Sequence, residues 1–344
     1  MLQYENIAWY ENGKVRILDR RIYPTKIEYV ECTTHQEVTQ ALTDMVTQSA
    51  GPYTAAAMGM ALAAYECRHM NEAGQKEYLR KAAYTISHAR PSTVDRMVRI
   101  CEACYDAAVI AMAAGLDVPQ AIVDHTIRAN NARYNKIKTV AKYLVDMFPK
   151  NGKILTQCFA ETIVGMMLAE ARERGNDLKI YCAETRPYFQ GARLTASVAK
   201  DMGFDVTLIT DNMPAYAIQN EKIDVFTSAA DVICQDGHVI NKVGTFQIAI
   251  VAKYMGIPYF VTGAPDLGHP TVDTAHIEMR DPDFVLQAMG VRTAMEGVKG
   301  YYPSFDITPP HLVSGVVTDA GIYSPYDLRR YFEETNSNPN DIVV

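Results

Sequence analysis

The sequence predicts an α/β protein: a helical N-terminal domain with a small β start, followed by a Rossmann-like domain built on a mostly parallel sheet. Three observations carry this. Residues 1–31 read as two or three short antiparallel strands around the turn Asn12-Gly13. From Thr34 to about Phe148 apolar residues recur at three- and four-residue steps, and after Lys150 short β-rich runs alternate with helical stretches. We therefore place one domain at 1–150 and a second, α/β domain at 151–344.

Within the helical part the clearest stripe is Val94, Met97, Val98, Cys101, Tyr105, Ala108 and Met112. It predicts a helix that opens at Pro91-Ser92 and stops at Gly115. The Met- and Ala-rich stretch Ala55–Ala64 reads as close helix packing. In the second domain the runs 153–158, 178–183, 205–210, 225–232 and 258–262 predict strands, and 161–173, 192–202 and 243–255 predict helices between them. Such alternation implies right-handed crossovers with helices on both faces of the sheet. Gly203 and Gly256 fall where helices should end, and the tail after Phe332 reads as a frayed end.

Composition excludes several classes. The chain has 344 residues, 48% hydrophobic and 21% charged, enough to bury a sizeable core. With 33 basic against 40 acidic residues the formal charge is −7, without the basic excess expected of a nucleic-acid binder. No apolar run approaches the ~20 residues that span a bilayer, and the first residues lack the basic and apolar parts of a secretion signal. We expect a cytoplasmic protein without a membrane or nucleic-acid partner. Seven scattered cysteines argue for reduced thiols over a disulfide framework.

Ligands of open parallel sheets collect outside the carboxyl ends of the strands, so chemistry is sought there first. The run 153–158 ends in Cys158 just before a helix, where the dipole favours a thiolate; a buried small hydrophobe is the plain alternative. The next strand leads into Glu184-Thr185-Arg186-Pro187-Tyr188-Phe189-Gln190-Gly191-Ala192-Arg193, whose arginines, amide and glycine at a helix start suit a phosphate or polyol. A capped, solvated loop would explain the same residues singly. Asp231 stands inside the apolar Ala229-Ala230-Asp231-Val232-Ile233, a setting in which a carboxylate must be paired, protonated or functional. Lys242 in Asn241-Lys242-Val243-Gly244-Thr245 reads as the start of a helix, where the dipole opposes a cation unless an anionic ligand is near. Arg90 precedes a helix capped by Ser92, with Asp95 three residues on; a surface arginine is the alternative.

Cys101-Glu102-Ala103-Cys104 has redox or metal spacing, yet both sulfurs fall on the apolar stripe and no second ligand pair is near. The eight histidines show no two-ligand spacing, so no metal site is expected. Neither G-x-G-x-x-G nor G-x-x-x-x-G-K-[ST] occurs, which argues against a dinucleotide or nucleoside triphosphate; we expect no cofactor.

An ordered set of segments resembles the methylthioribose-1-phosphate isomerase family. They are Leu18-Asp19-Arg20-Arg21, Arg90-Pro91-Ser92-Thr93-Val94, Ile154-Leu155-Thr156-Gln157-Cys158, Glu184-Thr185-Arg186-Pro187, Gln190-Gly191-Ala192-Arg193-Leu194 and Ile209-Thr210-Asp211-Asn212-Met213. Ala230-Asp231, Asn241-Lys242-Val243-Gly244-Thr245, Ile277-Glu278-Met279-Arg280-Asp281 and Phe305-Asp306-Ile307-Thr308-Pro309 complete it. The likeness covers nearly the whole chain. That family shares its fold with ribose-1,5-bisphosphate isomerases and with regulatory subunits of the translation initiation factor guanine-nucleotide exchange complex. The resemblance implies an aldose–ketose isomerase acting on a pentose 1-phosphate, with Cys158 and Asp231 as the catalytic pair and Arg90, Gln190, Asn241 and Lys242 holding the sugar phosphate. It also implies a homodimer. A noncatalytic sugar-phosphate or nucleotide sensor is the competing reading.

Three departures from the pattern stand out. The family's Arg-Gly-Ala-Pro segment should fall near residues 48–57, which here read Gln-Ser-Ala-Gly-Pro-Tyr-Thr-Ala-Ala-Ala and carry no arginine. Tyr53 is the candidate to fill that space. Phe159-Ala160-Glu161 replaces the usual Asn-Ala-Gly after the cysteine, and Val232 and Asp236-Gly237-His238 replace the usual Arg and Asn-Gly-Asp near the aspartate. These changes predict retained chemistry with an altered substrate preference.

Overall fold

A computed structural model describes residues 7–48, 50–90 and 94–335. They form two compact units that divide inside one long helix, the first reaching Asn135 and the second starting at Lys136.

The first unit begins with β1 (Ala8–Glu11), β2 (Lys14–Leu18) and β3 (Tyr29–Cys32), an antiparallel meander in which Ala8 pairs with Ile17 and Val15 with Cys32. Alternation puts Val15 and Ile17 inward, against the helices. α1 (His35–Thr43) starts at a capping box in which Thr34 and Glu37 satisfy each other's backbone N–H groups. α2 (Gly51–Glu66) is apolar all round and buried along nearly its whole length, because α1, α3 (Glu72–Ser87), α4 (Val94–Ala113) and the meander surround it. Its alanines and glycines let these neighbours approach closely. Cys101 and Cys104 on α4 are buried in the same core, and burial pushes the Cys104 thiol up to about 12, as an inert packing residue requires. α5 (Val118–Asp146) leads out of this unit.

The second unit is built on a seven-stranded sheet. Its strands are β4 (Lys153–Thr156), β5 (Lys179–Ala183), β6 (Asp205–Ile209), β7 (Val225–Ala229), β10 (Tyr259–Thr262), β14 (Gly315–Val317) and β15 (Ile322–Tyr323), in the spatial order β15-β14-β10-β7-β4-β5-β6. All neighbours are parallel except β14 and β15. The chain lays β5 and β6 on one side of β4, then crosses to the other side for β7 and β10. Its switch point is therefore between β4 and β7, where crossovers leave in opposite directions and open a crevice. α6 (Glu161–Glu173), α7 (Ala196–Asp201), α8 (Pro214–Glu221) and α9 (Thr245–Met255) make the connections. A small antiparallel sheet of β8 (Val232–Ile233), β9 (Val239–Lys242) and β13 (Phe305–Thr308) lies beyond β7. The hairpin β11 (Gln287–Ala288) with β12 (Val291–Arg292) and the helix α10 (Arg329–Thr335) complete the described residues.

Several boundaries differ from the sequence reading. The run 225–232 is two strands with Asp231 in the break between them. The stretch 192–202 opens as a π-helix, Gly191–Thr195, before α7. Lys242 closes strand β9 instead of opening a helix, and α9 starts only at Thr245. Residues 51–57 belong to helix α2, so the segment without arginine is helical from Gly51 onward. The chain after Phe332 stays helical through Thr335. The expected cap at Ser92 lies outside the described residues.

Candidate active site

The ends of β4 and β7 flank the switch point, and the two chemistry-bearing residues follow them directly. After β4 the chain turns at Cys158, whose φ of 60° is left-handed and uncommon for a side-chain-bearing residue. Thr185, just past β5, also has positive φ, at 65°. Such strain persists only where surrounding bonds over-determine it. Here they do. The Cys158 N–H donates to Gln157 Oε1 and to Thr185 Oγ1, both at 3.1 Å, and Thr185 Oγ1 donates to Gln157 Oε1 at 2.9 Å. Thr195, on the π-helix, donates its hydroxyl to the Cys158 carbonyl. Asp211 holds the adjoining loop through the N–H groups of Thr185 and Arg186, at 2.8 and 2.6 Å. Gly191 must be glycine, since a Cβ there would lie 1.7 Å from the Ala183 carbonyl oxygen.

Asp231 sits in the break after β7, held by its N–H donating to the Ile240 carbonyl at 2.9 Å. Its side chain is exposed, although protein atoms crowd around it. The crowding pushes its pKa above the ordinary carboxylate value, against the pull of Lys242 and Arg280. Cys158 is likewise partly open yet closely surrounded; burial pushes its thiol up to about 11, opposed by Lys242 and reinforced by Asp231. Cys158, Asp231 and Lys242 thus lie near enough to bear on one another's ionisation.

Lys242 is 5% exposed, and burial draws its pKa down. Its Nζ donates to the Ser304 carbonyl at 2.9 Å and stands 4.8 Å from the Phe305 ring centroid. Beside it, Asn241 donates from Nδ2 to Thr245 Oγ1 at 3.1 Å. The two strand ends are joined directly, since Gln157 Nε2 donates to the Val243 carbonyl at 3.1 Å. Gly244, at φ 106°, leaves room for that contact, because a Cβ would come within 2.9 Å of the same Gln157 nitrogen.

The start of α9 is occupied by the protein itself. Asp306 on β13, paired with Asn241 across the small sheet, accepts from the Gly244 N–H at 2.6 Å and the Phe246 N–H at 3.2 Å. Burial still pushes its carboxyl up to about 6. The expectation that an anionic ligand lies at this helix start is therefore corrected: the carboxylate of Asp306 fills that role, and Lys242 faces the site from a strand.

Of the residues singled out from sequence, the second unit brings Cys158, Asp231, Asn241 and Lys242 to the ends of β4, β7 and β9. Gln190 sits at the head of the π-helix tied to Cys158, and its Oε1 is buried with no hydrogen-bond partner, an acceptor open to a ligand hydroxyl. Arg90 and Tyr53 belong to the other unit, where the Arg96 guanidinium lies 4.4 Å from the Tyr53 ring centroid. Gln157, Thr185, Asp211, Arg280 and Asp306 were given no role by the sequence reading. Each stands within a segment quoted for the resemblance; only spatial pairing discloses what it does. Among the described residues no group of three or more His, Cys, Asp or Glu is arranged to hold a metal ion, and no helix is long and apolar enough to cross a membrane.

A family model described as the initiation factor 2 subunit family matches residues 47–325. The chain belongs to that family. It is 35% identical to the methylthioribose-1-phosphate isomerase of Geobacillus thermodenitrificans, over 94% of this chain and 93% of that one. It is 32% identical to the 5-deoxyribose 1-phosphate isomerase of Clostridium botulinum, over 95% and 98%. The crystal structure of 5-methylthioribose 1-phosphate isomerase from Pyrococcus horikoshii OT3 superposes with a TM-score of 0.85 at 26% identity, covering 98% of this chain and 99% of that one.

Proposed function

We propose that this protein is an aldose–ketose isomerase that converts a 5-substituted pentose 1-phosphate into the corresponding ketose 1-phosphate, without metal or organic cofactor. The observation that carries the reading is the thiol and the carboxyl at the ends of adjacent parallel strands, sharing one buried lysine. Both relatives quoted above are isomerases of such sugars by name.

In this reading Asp231 gives its proton to the ring oxygen as the C1–O bond breaks. The Cys158 thiolate takes the proton from C2, forming an enol between C1 and C2, and returns it to C1. The C2 hydroxyl then loses its proton, leaving the ketone and restoring Asp231. The mechanism needs one proton shared by the pair, held on Asp231 in the working form and on Cys158, whose thiol is raised to about 11, in the resting form. Asn241, Lys242 and Gln190 hold the substrate.

Purified protein should turn over methylthioribose 1-phosphate or 5-deoxyribose 1-phosphate, and Cys158→Ser and Asp231→Asn should each cost ~10²–10⁴-fold in kcat. No ketose from either sugar, or from ribose 1,5-bisphosphate, overturns the reading. Tight binding without turnover would indicate a sensor instead. In D2O the ketose should carry solvent deuterium at C1; complete retention of the C2 hydrogen would replace the proton route by a direct hydride shift. Activity that a chelator abolishes and a divalent cation restores would refute the cofactor-free assignment.

A further inference from the structure

Two cations converge on the Phe305 ring. Lys242 Nζ stands 4.8 Å from its centroid and the Arg280 guanidinium carbon 5.9 Å. Backbone pairing brings them there. Residues 278–280 run antiparallel to 302–304, with the Arg280 N–H donating to the Tyr302 carbonyl and the Ser304 N–H to the Glu278 carbonyl, both at 2.9 Å. The same strand continues into β13, which pairs with β9 and aligns Phe305 with Lys242. The Arg280 side chain is 16% exposed, and among the described residues its carboxylate contact is Glu278 at 3.4 Å, a long bond to a side chain that is itself 42% exposed. Tyr302 is 2% exposed and close enough to Arg280 to interact with it, yet its hydroxyl lacks a well-aligned hydrogen bond. Asp231 bears on both cations at longer range, but among the described residues the one carboxylate within ion-pair distance of either is Glu278, held by a long bond, which leaves the Arg280 fork open to a further anion beside the Tyr302 hydroxyl.

We propose that Arg280 is the second cation of the substrate-anion site, donating with Lys242 to the phosphate of the sugar phosphate while the Tyr302 hydroxyl adds a further donor. This rests on the sugar-phosphate reading above. The guanidinium fork suits phosphate oxygens, and Glu278 occupies the fork loosely until substrate displaces it.

The test is binding by calorimetry of methylthioribose 1-phosphate, of its dephosphorylated sugar and of inorganic phosphate. Arg280→Met should weaken the two phosphate-bearing ligands about 10- to 150-fold and leave the plain sugar within about twofold. Arg280→Lys should fall between, having charge without the fork. Glu278→Gln should tighten the phosphate-bearing ligands several-fold, a gain that a damaged fold does not produce. Equal weakening of all ligands in Arg280→Met, or no tightening in Glu278→Gln, overturns the proposal. So does a wild-type protein that binds neither phosphate-bearing ligand. Wild-type protein that binds the sugar phosphate but forms no ketose refutes the isomerase reading alone and leaves Arg280 to be judged on the binding ratios.

Discussion

Cys158 carries the sharpest chemical expectation at the level of a single residue. A helix start was expected to favour its thiolate, but burial wins and the thiol rises to about 11. A fragment of the thiolate therefore exists at neutral pH, growing about tenfold per pH unit until the thiol titrates. The alkylation rate of Cys158 by iodoacetamide, read by peptide mass spectrometry, should climb steadily from pH 7 to 9.5; a plateau below pH 9 would contradict the upward shift. Turnover should behave differently. Activity needs one proton on the pair, so kcat/KM should fall on the alkaline side as the thiol titrates and on the acid side as Asp231 takes a second proton. Monotonic growth of kcat/KM up to pH 10 would mean that Asp231 does not need its proton.

Among the elements, β13 and α9 form one device. Asp306 caps α9 and, through its register with Asn241, fixes the strand end that carries Lys242. Asp306→Ala should cost about 0.5–2 kcal/mol of stability, the usual loss for an N-terminal cap, with Asp306→Asn keeping part of it. The charge adds a pH dependence of known sign. An unfolded Asp306 ionises near 3.8 and the folded one holds its proton to about 6, so over that window the folded state binds more proton and this group's contribution to stability is lost as pH rises. Asp306→Asn should remove that slope from the melting temperature between pH 4 and 6. The sequence disclosed Cys158 and Asp231 because strand ends can be read from β-rich runs, and Lys242 because a cation placed at a helix start stands out. It hid Asp306 and Arg280 because their roles come from pairings between segments about 60 and 20 residues apart, which no local period records. It also misplaced Lys242 by taking Val243 for helix, whereas the small antiparallel sheet keeps the backbone extended through Lys242. Residues 263–328 hold short strands and turns without a clear period, and the sequence reading left them blank. We propose that segment 48–57 bears on substrate choice: the arginine that the family resemblance leads one to expect there is absent, and a lost charge-assisted hydrogen bond is worth roughly 1.5–3 kcal/mol. We expect kcat/KM across a series of 5-substituents to favour a 5-deoxy or other 5-substituted pentose 1-phosphate over methylthioribose 1-phosphate; a clear preference for the latter would show compensation elsewhere.

At the scale of the whole molecule, the second unit leaves apolar side chains outside. Ile250 and Tyr254 lie one turn apart on α9, and Tyr216 projects from the neighbouring α8, with Tyr254 88% exposed. The homodimer implied by the family resemblance would account for such a surface. Sedimentation should give twice the chain mass of 38.3 kDa, and a monomer at micromolar concentration would contradict it. The plugged start of α9 matters most over a longer horizon. Where main-chain amides grip a phosphate, replacing a side chain leaves the grip in place. Here the amides of Gly244 and Phe246 are committed to Asp306, and we assign the anion to Lys242, Arg280 and Tyr302, each encoded by one codon. A lineage built this way can change its substrate by single substitutions while the scaffold stays folded, and directed evolution toward other sugar phosphates should find its first gains at Glu278, Arg280 and Tyr302.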